Sequence, residues 1–203
     1  MKKISLIFCF LGYLVSAFSA TRTISNAGGN FNSTSTWVEG AVPTAADDVV
    51  ATATSGKLIV NVNSVAKTIT LTNYVDTLVM NANLSVSGSV TLATGMQYTG
   101  SSNLICLTAA TLTSNGVPIS GGMQLNGTSQ TFTLADNWTV NGVVTCGGTT
   151  ATTINGNTLT CNGGYTQTNV ATVSGTTVFV LGGGTWSSTL NSNVLRNNVT
   201  FAG

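Results

Sequence analysis

After about residue 20, hydrophobic and polar residues alternate in short runs that end at Gly or Asn. Such runs occupy residues 57–62, 67–71, 89–92, 130–134, 142–146, 157–161 and 176–181. Short alternating or β-branched runs between turn-forming residues predict strands, and no window has the spacing of an amphipathic helix. Because Pro43 and Pro118 are the only prolines, nearly every strand can hydrogen-bond on both edges. The pattern therefore predicts an all-β chain.

A degenerate repeat runs through the same region. Its copies, apolar-polar pairs that end in Asn-Gly, Ser-Gly or Gly-Gly, lie at 84–88, 123–127, 159–163 and 179–183. Their final glycines are separated by close to one or two times a common period, and a further copy at 138–142 is out of step. That period, about 20 positions, predicts a parallel, right-handed β-helix in which each coil covers the next. The alternative is a β-sandwich, which also has short strands.

The first residues have the pattern of a secretory signal. Lys2 and Lys3 precede an apolar run at 4–15 and small residues at 16–20, which predicts a signal peptide at 1–19. Cleavage before Ala20 is favoured, because cleavage after Ala20 would put the bulky Phe18 at the third position before the cut, where signal peptides have a small residue. A membrane anchor is the alternative, but the run is shorter than the roughly 20 residues that span a bilayer.

The expected organisation has three parts: the signal peptide, an N-terminal capping segment at 20–50 and β-helix coils at 51–203. The last residues, 197–203, have the pattern of an unfinished strand. Because a solenoid needs capped ends to stay soluble, we expect the coils to be truncated there or to dock onto another subunit.

Charged residues are scarce. Only 5% of the 203 residues are charged and none is His, whereas about a quarter are charged in an ordinary domain. After loss of Lys2 and Lys3 the formal charge is 4 − 5 = −1, so we expect no nucleic-acid binding. The absence of His excludes His-based catalysis and His-ligated metals, and we expect no cofactor.

One segment carries a resemblance. Trp37, Gly40, Val42-Pro43-Thr44 and Asp47-Asp48-Val49 resemble the opening segment W-x-x-G-x-V-P-x-x-x-D-D-V of secreted bacterial β-helix proteins. The stretch 135–186 is similar to repeats of large surface and phage-associated fibre proteins. The resemblance implies a parallel β-helix with a surface or adhesion role, and it implies no catalytic residue.

The opening segment contains the candidate structural cap. Asp47 and Asp48 precede a β-branched run and can accept backbone N–H groups of the first coil, while Trp37 can cover the open end, where unpaired strand edges invite association. A Ca²⁺ site is the alternative reading of the two carboxylates, but they supply too few oxygens for six to eight ligands. We therefore expect a cap and no metal.

Three aromatic residues are candidates for glycan binding, since their rings can stack on sugars: Trp138, Tyr165 and Trp186. The alternative is that they fill the core or cover an end, because large aromatics carry much of a protein's buried area.

Cys146 and Cys161 lie at the ends of similar strands, less than one period apart. They either form a disulfide between adjacent coils or are two small core residues. The second reading is favoured, because a separation closer to the full period would put them in register.

The sequence thus predicts a non-enzymatic protein that is secreted or displayed at the cell surface. It would be adhesin-like and bind glycans or neighbouring surface proteins, with no membrane span once the signal is removed. One alternative is a structural spacer in a larger extracellular assembly or oligomer. The other is a polysaccharide-degrading β-helix enzyme, which generally needs two facing carboxylates. Three of the five acidic residues lie within 39–48, so Asp76 and Asp136 are the only other carboxylates that could form such a pair.

Overall fold

The protein is a parallel β-solenoid. The computed structural model describes residues 19–127, 129–147, 152–168, 172–176, 178–182, 185–188, 194–195 and 198–201. All pairings between its strands are parallel. The single antiparallel contact in these ranges is an isolated bridge between Ile24 and Trp37. The prediction of a parallel β-helix is therefore confirmed, and the β-sandwich, whose sheets are antiparallel, is excluded.

The strands, labelled in chain order, stack into three sheets. Sheet one contains β1 (Thr21–Thr23), β3 (Asp48–Val50), β6 (Thr68–Thr70), β9 (Val90–Thr91), β12 (Ala110–Thr113), β14 (Thr131–Leu134), β17 (Thr152–Gly156), β20 (Thr172–Ser174) and β23 (Val194–Leu195). Sheet two has a first section of β2 (Gly29–Asn30), β4 (Leu58–Val60), β7 (Thr77–Met80) and β10 (Gln97–Gly100), and a second of β15 (Trp138–Val140), β18 (Leu159–Cys161), β21 (Val178–Leu181) and β24 (Asn198–Phe201). Sheet three contains β5 (Ser64–Ala66), β8 (Leu84–Val86), β11 (Leu104–Cys106), β13 (Met123–Asn126), β16 (Val144–Gly147), β19 (Tyr165–Gln167) and β22 (Trp186–Ser188).

After the first coil, which has no strand in sheet three, each coil passes through sheets one, two and three in turn. From β3 onward, paired residues are between 19 and 22 positions apart, as in Leu104 with Met123 and Leu112 with Val90. The first coil is longer, since Gly29 pairs with Leu58, and it carries a 3₁₀ helix at Thr34–Thr36. The coil length agrees with the period of the repeat in the sequence.

The repeat copies do not all lie on one sheet. Copies 84–88 and 123–127 begin in sheet three, two coils apart, whereas copies 159–163 and 179–183 begin in sheet two, one coil apart. The second and third of these copies therefore lie in different sheets, so the distance between them is not a whole number of coils. The copy at 138–142, which is out of step in the sequence, lies in sheet two, where Trp138 pairs with Leu159. All three sheets use the same inward-outward-inward pattern, so the pattern does not identify the sheet.

The core consists of columns of inward-facing side chains. In sheet one, each of Val49, Ile69, Val90, Leu112 and Leu134 is at most 2% exposed. They alternate with outward-facing residues, mostly threonine, as the period of two along a strand requires. The alternation in the sequence is thus the division between core and outer surface.

Sheet two is interrupted between β10 and β15. Here an isolated bridge between Ile119 and Val140 takes the place of a strand. Pro118 has no N–H to give to a ladder, and Asn115 and Gly116 have φ values of 50° and 79°, which turn the chain. One of the two prolines therefore marks the break between the two sections of sheet two.

Candidate functional site

The first coil contains a buried aromatic pair, Phe31 and Trp37. Trp37 is 2% exposed, and its indole N–H donates to the Phe31 carbonyl oxygen at 2.9 Å. The two rings meet edge to face, with centroids 5.1 Å apart. Trp37 thus lies in the segment where the sequence placed the cap.

Asp47 binds the chain segments of the first coil together. Its Oδ2 accepts the backbone N–H and the hydroxyl of Thr44, each at 2.9 Å, and lies 3.4 Å from Arg22 Nε. Its Oδ1 accepts the Ala20 N–H at 3.1 Å. Burial acts to raise the pKa of this carboxyl, but these hydrogen bonds and the Arg22 charge outweigh it and hold the pKa below its usual value.

Asp48 forms a second, more exposed network. The hydroxyls of Thr68 and Ser19 donate to its two oxygens at 2.7 Å, and Lys67 Nζ lies 3.4 Å away. The Thr68 hydroxyl, then the Ser19 hydroxyl, contribute most to lowering the pKa of Asp48 against the opposing effect of burial. Within the described ranges, no group of three or more His, Cys, Asp or Glu side chains is placed to hold a metal ion.

The outer surface of sheet one is a candidate binding surface, which we call the hydroxyl face. Its residues project from four successive coils: Thr68, Thr70, Ser89, Thr91, Thr111, Thr113, Thr131 and Thr133. The strand register aligns most of them into columns, of which one runs through Thr70, Thr91 and Thr113 and another joins Thr111 to Thr133. Thr131 pairs instead with Thr153 of the next coil. Along a column the hydroxyls repeat at the rung spacing of about 4.8 Å, and along a strand at about 6.6 Å.

Most of these hydroxyls are free to bind a ligand. Among the described residues, no protein group is hydrogen-bonded to the hydroxyls of Thr91, Thr111, Thr113, Thr131 or Thr133. Ser89, Ala109, Ala110, Thr111, Thr131 and Thr133 line a shallow trough of about 340 Å³ on this face. The face therefore offers neutral donors and acceptors at regular intervals around a depression.

Sequence reasoning missed the hydroxyl face, although a signal for it exists. The pattern Thr/Ser-x-Thr recurs at 68–70, 89–91, 111–113 and 131–133, close to one coil length each time. In a chain with 36 threonines, only the strand register reveals that the first three copies lie side by side and that the fourth is shifted by two positions, so that Thr111 pairs with Thr133.

A second depression lies at the corner where the chain passes from sheet one to sheet two. This groove of about 490 Å³ is lined by polar residues that include Asn26, Thr54, Asp76 and Gln97. Asp76 and Asp136 each precede a sheet-two strand by one or two positions, in coils three rungs apart. Three rungs are about 14 Å, beyond the roughly 5–9.5 Å between the carboxylates of a glycosidase.

The structure buries two of the three candidate sugar-stacking residues. Trp138 and Tyr165 are 0% and 1% exposed, so neither ring can stack on a sugar. Trp186 is 42% exposed but pairs with Tyr165, which puts it in the same inward-facing column at the last described strand of sheet three. The reading as core residues therefore describes Trp138 and Tyr165, whereas stacking of Trp186 on a sugar stays a prediction.

The expected alternatives for the cysteines are also resolved. Cys146 lies in β16 of sheet three and Cys161 in β18 of sheet two, and both are buried free thiols, as is Cys106. Cys146 stacks on Gln167 instead, because Cys161 follows Cys146 by less than one coil. Cys146 and Cys161 therefore form no disulfide with each other and are two small core residues.

Comparisons with family models, with curated proteins and with solved structures found no match for this chain. In the portion that the structure describes, no helix is long and apolar enough to cross a membrane.

Proposed function

We propose that this chain is an exported, non-enzymatic surface or fibre protein, adhesin-like in role, whose hydroxyl face binds uncharged glycans. The observation that carries the proposal is the set of aligned hydroxyls without protein partners around the trough on sheet one. A neutral surface suits a neutral ligand, since none of the residues that line the trough is charged. The basic, apolar and small residues of segment 1–19 support export.

The energetics favour a polymer over a small sugar. A single neutral hydrogen bond contributes only about 0.5–1.5 kcal/mol net, and the trough is too shallow to enclose a monosaccharide as a deep pocket would. A glycan polymer that crosses several coils forms several such hydrogen bonds, and their contributions add. We therefore expect binding to strengthen with glycan length, and to change little with salt because no ion pair forms.

The test uses residues 20–203 with a panel of polysaccharides, and records retention and released reducing ends in the same wells. We expect neutral polymers to be retained without release of products. The double change Thr111→Val and Thr133→Val keeps the β-branched shape but removes two hydroxyls, and should abolish most of the retention. The matched control, Thr139→Val with Thr160→Val, makes the same change on the outer surface of β15 and β18.

The other outcomes decide between the alternatives. Retention that both double variants reduce equally would contradict the assignment to the hydroxyl face. Absence of retention would favour a structural spacer within a larger assembly, or binding to neighbouring surface proteins. Released reducing ends would favour a polysaccharide-degrading enzyme and would direct attention to Asp76 in the corner groove.

A second candidate ligand, an ice surface, is favoured by the regularity of the columns. Hydroxyls at about 4.8 Å along a column lie close to the repeat of oxygens along one axis of hexagonal ice, and threonine methyl groups can occupy the spaces between surface waters. Inhibition of ice recrystallisation would be expected from the wild-type chain and from the Thr139→Val, Thr160→Val control. Inhibition that survives in the Thr111→Val, Thr133→Val chain, or is absent altogether, would reject this candidate.

A further inference from the structure

The backbone nitrogen of Ala20 faces a buried carboxylate. It lies 3.1 Å from Oδ1 of Asp47, whose side chain is only 4% exposed. The other partners of Asp47, Thr44 and Arg22, all contact Oδ2. Oδ1 is therefore directed at the first residue that would remain after cleavage at the expected site.

We propose that hydrolysis of the Ser19–Ala20 peptide bond leaves Ala20 as the N-terminal residue, and that its α-ammonium group forms an ion pair with Asp47. The inference rests on the proposed export. The step consumes one water: the C–N bond breaks, Ser19 leaves as a carboxylate with the signal peptide, and the Ala20 nitrogen becomes an ammonium. A signal peptidase acting on the unfolded chain supplies the catalysis, and it accepts the small residues Ala17 and Ser19.

The cluster of charges around Asp47 and Asp48 is one cation short without this group, since Lys57 of the same coils forms no ion pair with either carboxylate. The three carboxylates of Glu39, Asp47 and Asp48 face two cations, and Arg22 is shared because its charge acts on both Glu39 and Asp47. Lys67 is engaged with Asp48. The local sum is therefore −3 + 2 = −1 before cleavage, and the ammonium brings it to zero.

The contacts also distinguish the two cleavage positions. The Ala20 carbonyl oxygen accepts the Asp48 N–H at 2.8 Å, so a cut after Ala20 would remove this hydrogen bond together with the one to Asp47. A cut before Ala20 removes only the Ser19 hydroxyl, which contacts Asp48 and Lys67 at 2.7 and 3.2 Å. Lys67 remains 3.4 Å from Asp48. A folded chain that begins at Ala20 thus keeps both backbone contacts of this residue, whereas one that begins at Thr21 loses them.

The first measurement is the intact mass and N-terminal sequence of the chain after export of the full-length precursor from a bacterial host. The expected product begins at Ala20. A product that begins at any other residue overturns this inference while leaving export intact. A precursor that stays uncleaved inside the cell overturns the export that both proposals need, so the two failures are distinguishable.

The second measurement tests the ion pair by a double-mutant cycle. Acetylation of the Ala20 amine removes the charge but keeps an N–H donor. It should lower the melting temperature by about 2–4 °C, the shift expected in a domain of this size when one modest stabilising interaction is lost. In an Asp47→Asn chain acetylation should have no effect, whereas in an Asp76→Asn control its effect should persist. An equal effect in the wild-type and Asp47→Asn chains would overturn the pair.

A third measurement covers the case in which Asp47→Asn fails to fold. The rate at which the Ala20 amine of the wild-type chain reacts with an acylating reagent is compared in native and denaturing buffer at one pH. An amine paired with Asp47 should react several-fold more slowly in the native chain. Equal rates would show a free amine and would reject the proposal.

Discussion

At the level of single residues, burial decides the chemistry of the cysteines. Cys106, Cys146 and Cys161 are each 0% exposed. Burial raises the pKa of their thiols to about 12, 11 and 12. A thiol is nucleophilic only as the thiolate, so these groups are chemically inert within the folded core, even in an oxidising compartment.

We therefore predict that none of these three thiols reacts with iodoacetamide at pH 8 in the native protein, and that all three react in denaturant. Mass spectrometry of the alkylated chain from residue 20 counts the additions directly. Omission of denaturant is the internal control. A single addition after unfolding would reveal a disulfide and would contradict the arrangement of Cys146 and Cys161 in different sheets.

The residue types and their local sequence could not show which aromatic side chains are buried in the core and which are exposed. Trp37, Trp138 and Trp186 all lie in Thr/Asn-rich surroundings, yet the first two are fully buried and the third is 42% exposed. Exposure here depends on the place of each residue in a column and on the coil that stacks above it, which are long-range properties. Asp47 was easier to interpret, because a carboxylate just before a β-branched run is a local signal.

At the level of strands and corners, close contact between coils determines which residues fit. Gly121, Gly142 and Gly163 occupy equivalent corner positions between sheets two and three, one coil apart. The neighbouring Asn141 and Asn162 stack with an amide hydrogen bond of 2.8 Å. These Asn-Gly pairs therefore form the corners of a parallel solenoid, although the same dipeptide is common in hairpins.

Gly142→Ala should destabilise the protein, because a Cβ at this position would lie 2.5 Å from the backbone carbon of Gly121. Backbone cannot move aside without separating two coils, so we expect a loss of about 1–3 kcal/mol in the free energy of unfolding. Denaturant unfolding measures it. Gly147→Ala is the matched control, because the added Cβ would meet only side-chain ends, those of Thr168 and Asn126. Equal losses in both variants would contradict close stacking at the Gly142 corner.

The strand and corner pattern was the part of the fold most open to prediction. Alternation along each run marks inward and outward positions, and the coil length follows from the spacing of the runs. The sheet to which a run belongs does not follow, since Leu84 of sheet three and Leu159 of sheet two begin segments with the same alternation of apolar and polar residues. For the same reason the hydroxyl face emerged only once strand register was known.

At the level of the whole molecule, charge is distributed unevenly along the solenoid axis. Seven of the nine charged residues after residue 20 lie in the segment from Arg22 to Asp76, both included. Asp136 is the only charged residue in the sequence from 77 to 195. Stability in a solenoid is approximately a sum of coil stabilities and contacts between neighbouring coils. The N-terminal coils should therefore respond to pH, whereas the coils that contain residues 138–167 carry no group that titrates in acid.

The direction of the acid effect follows from the cap. The pKa values of Glu39, Asp47 and Asp48 are lowered in the folded state, so their contribution is complete above the unfolded values of about 4.3 and 3.9. That contribution is lost as the pH falls through the folded pKa values. Acid should thus open the solenoid from its N-terminal end.

Hydrogen exchange at pH 7 and pH 3, corrected for the intrinsic pH dependence of exchange, checks this directly. We expect protection to fall in residues 20–70 at low pH and to persist in 138–167. Asp47→Asn should reproduce part of the loss at pH 7, because the neutral amide cannot pair with Arg22, whereas Asp136→Asn should leave the first coils unchanged. Uniform loss along the axis would show that all coils unfold as one cooperative unit, and would contradict the separation of a charged cap from a neutral body.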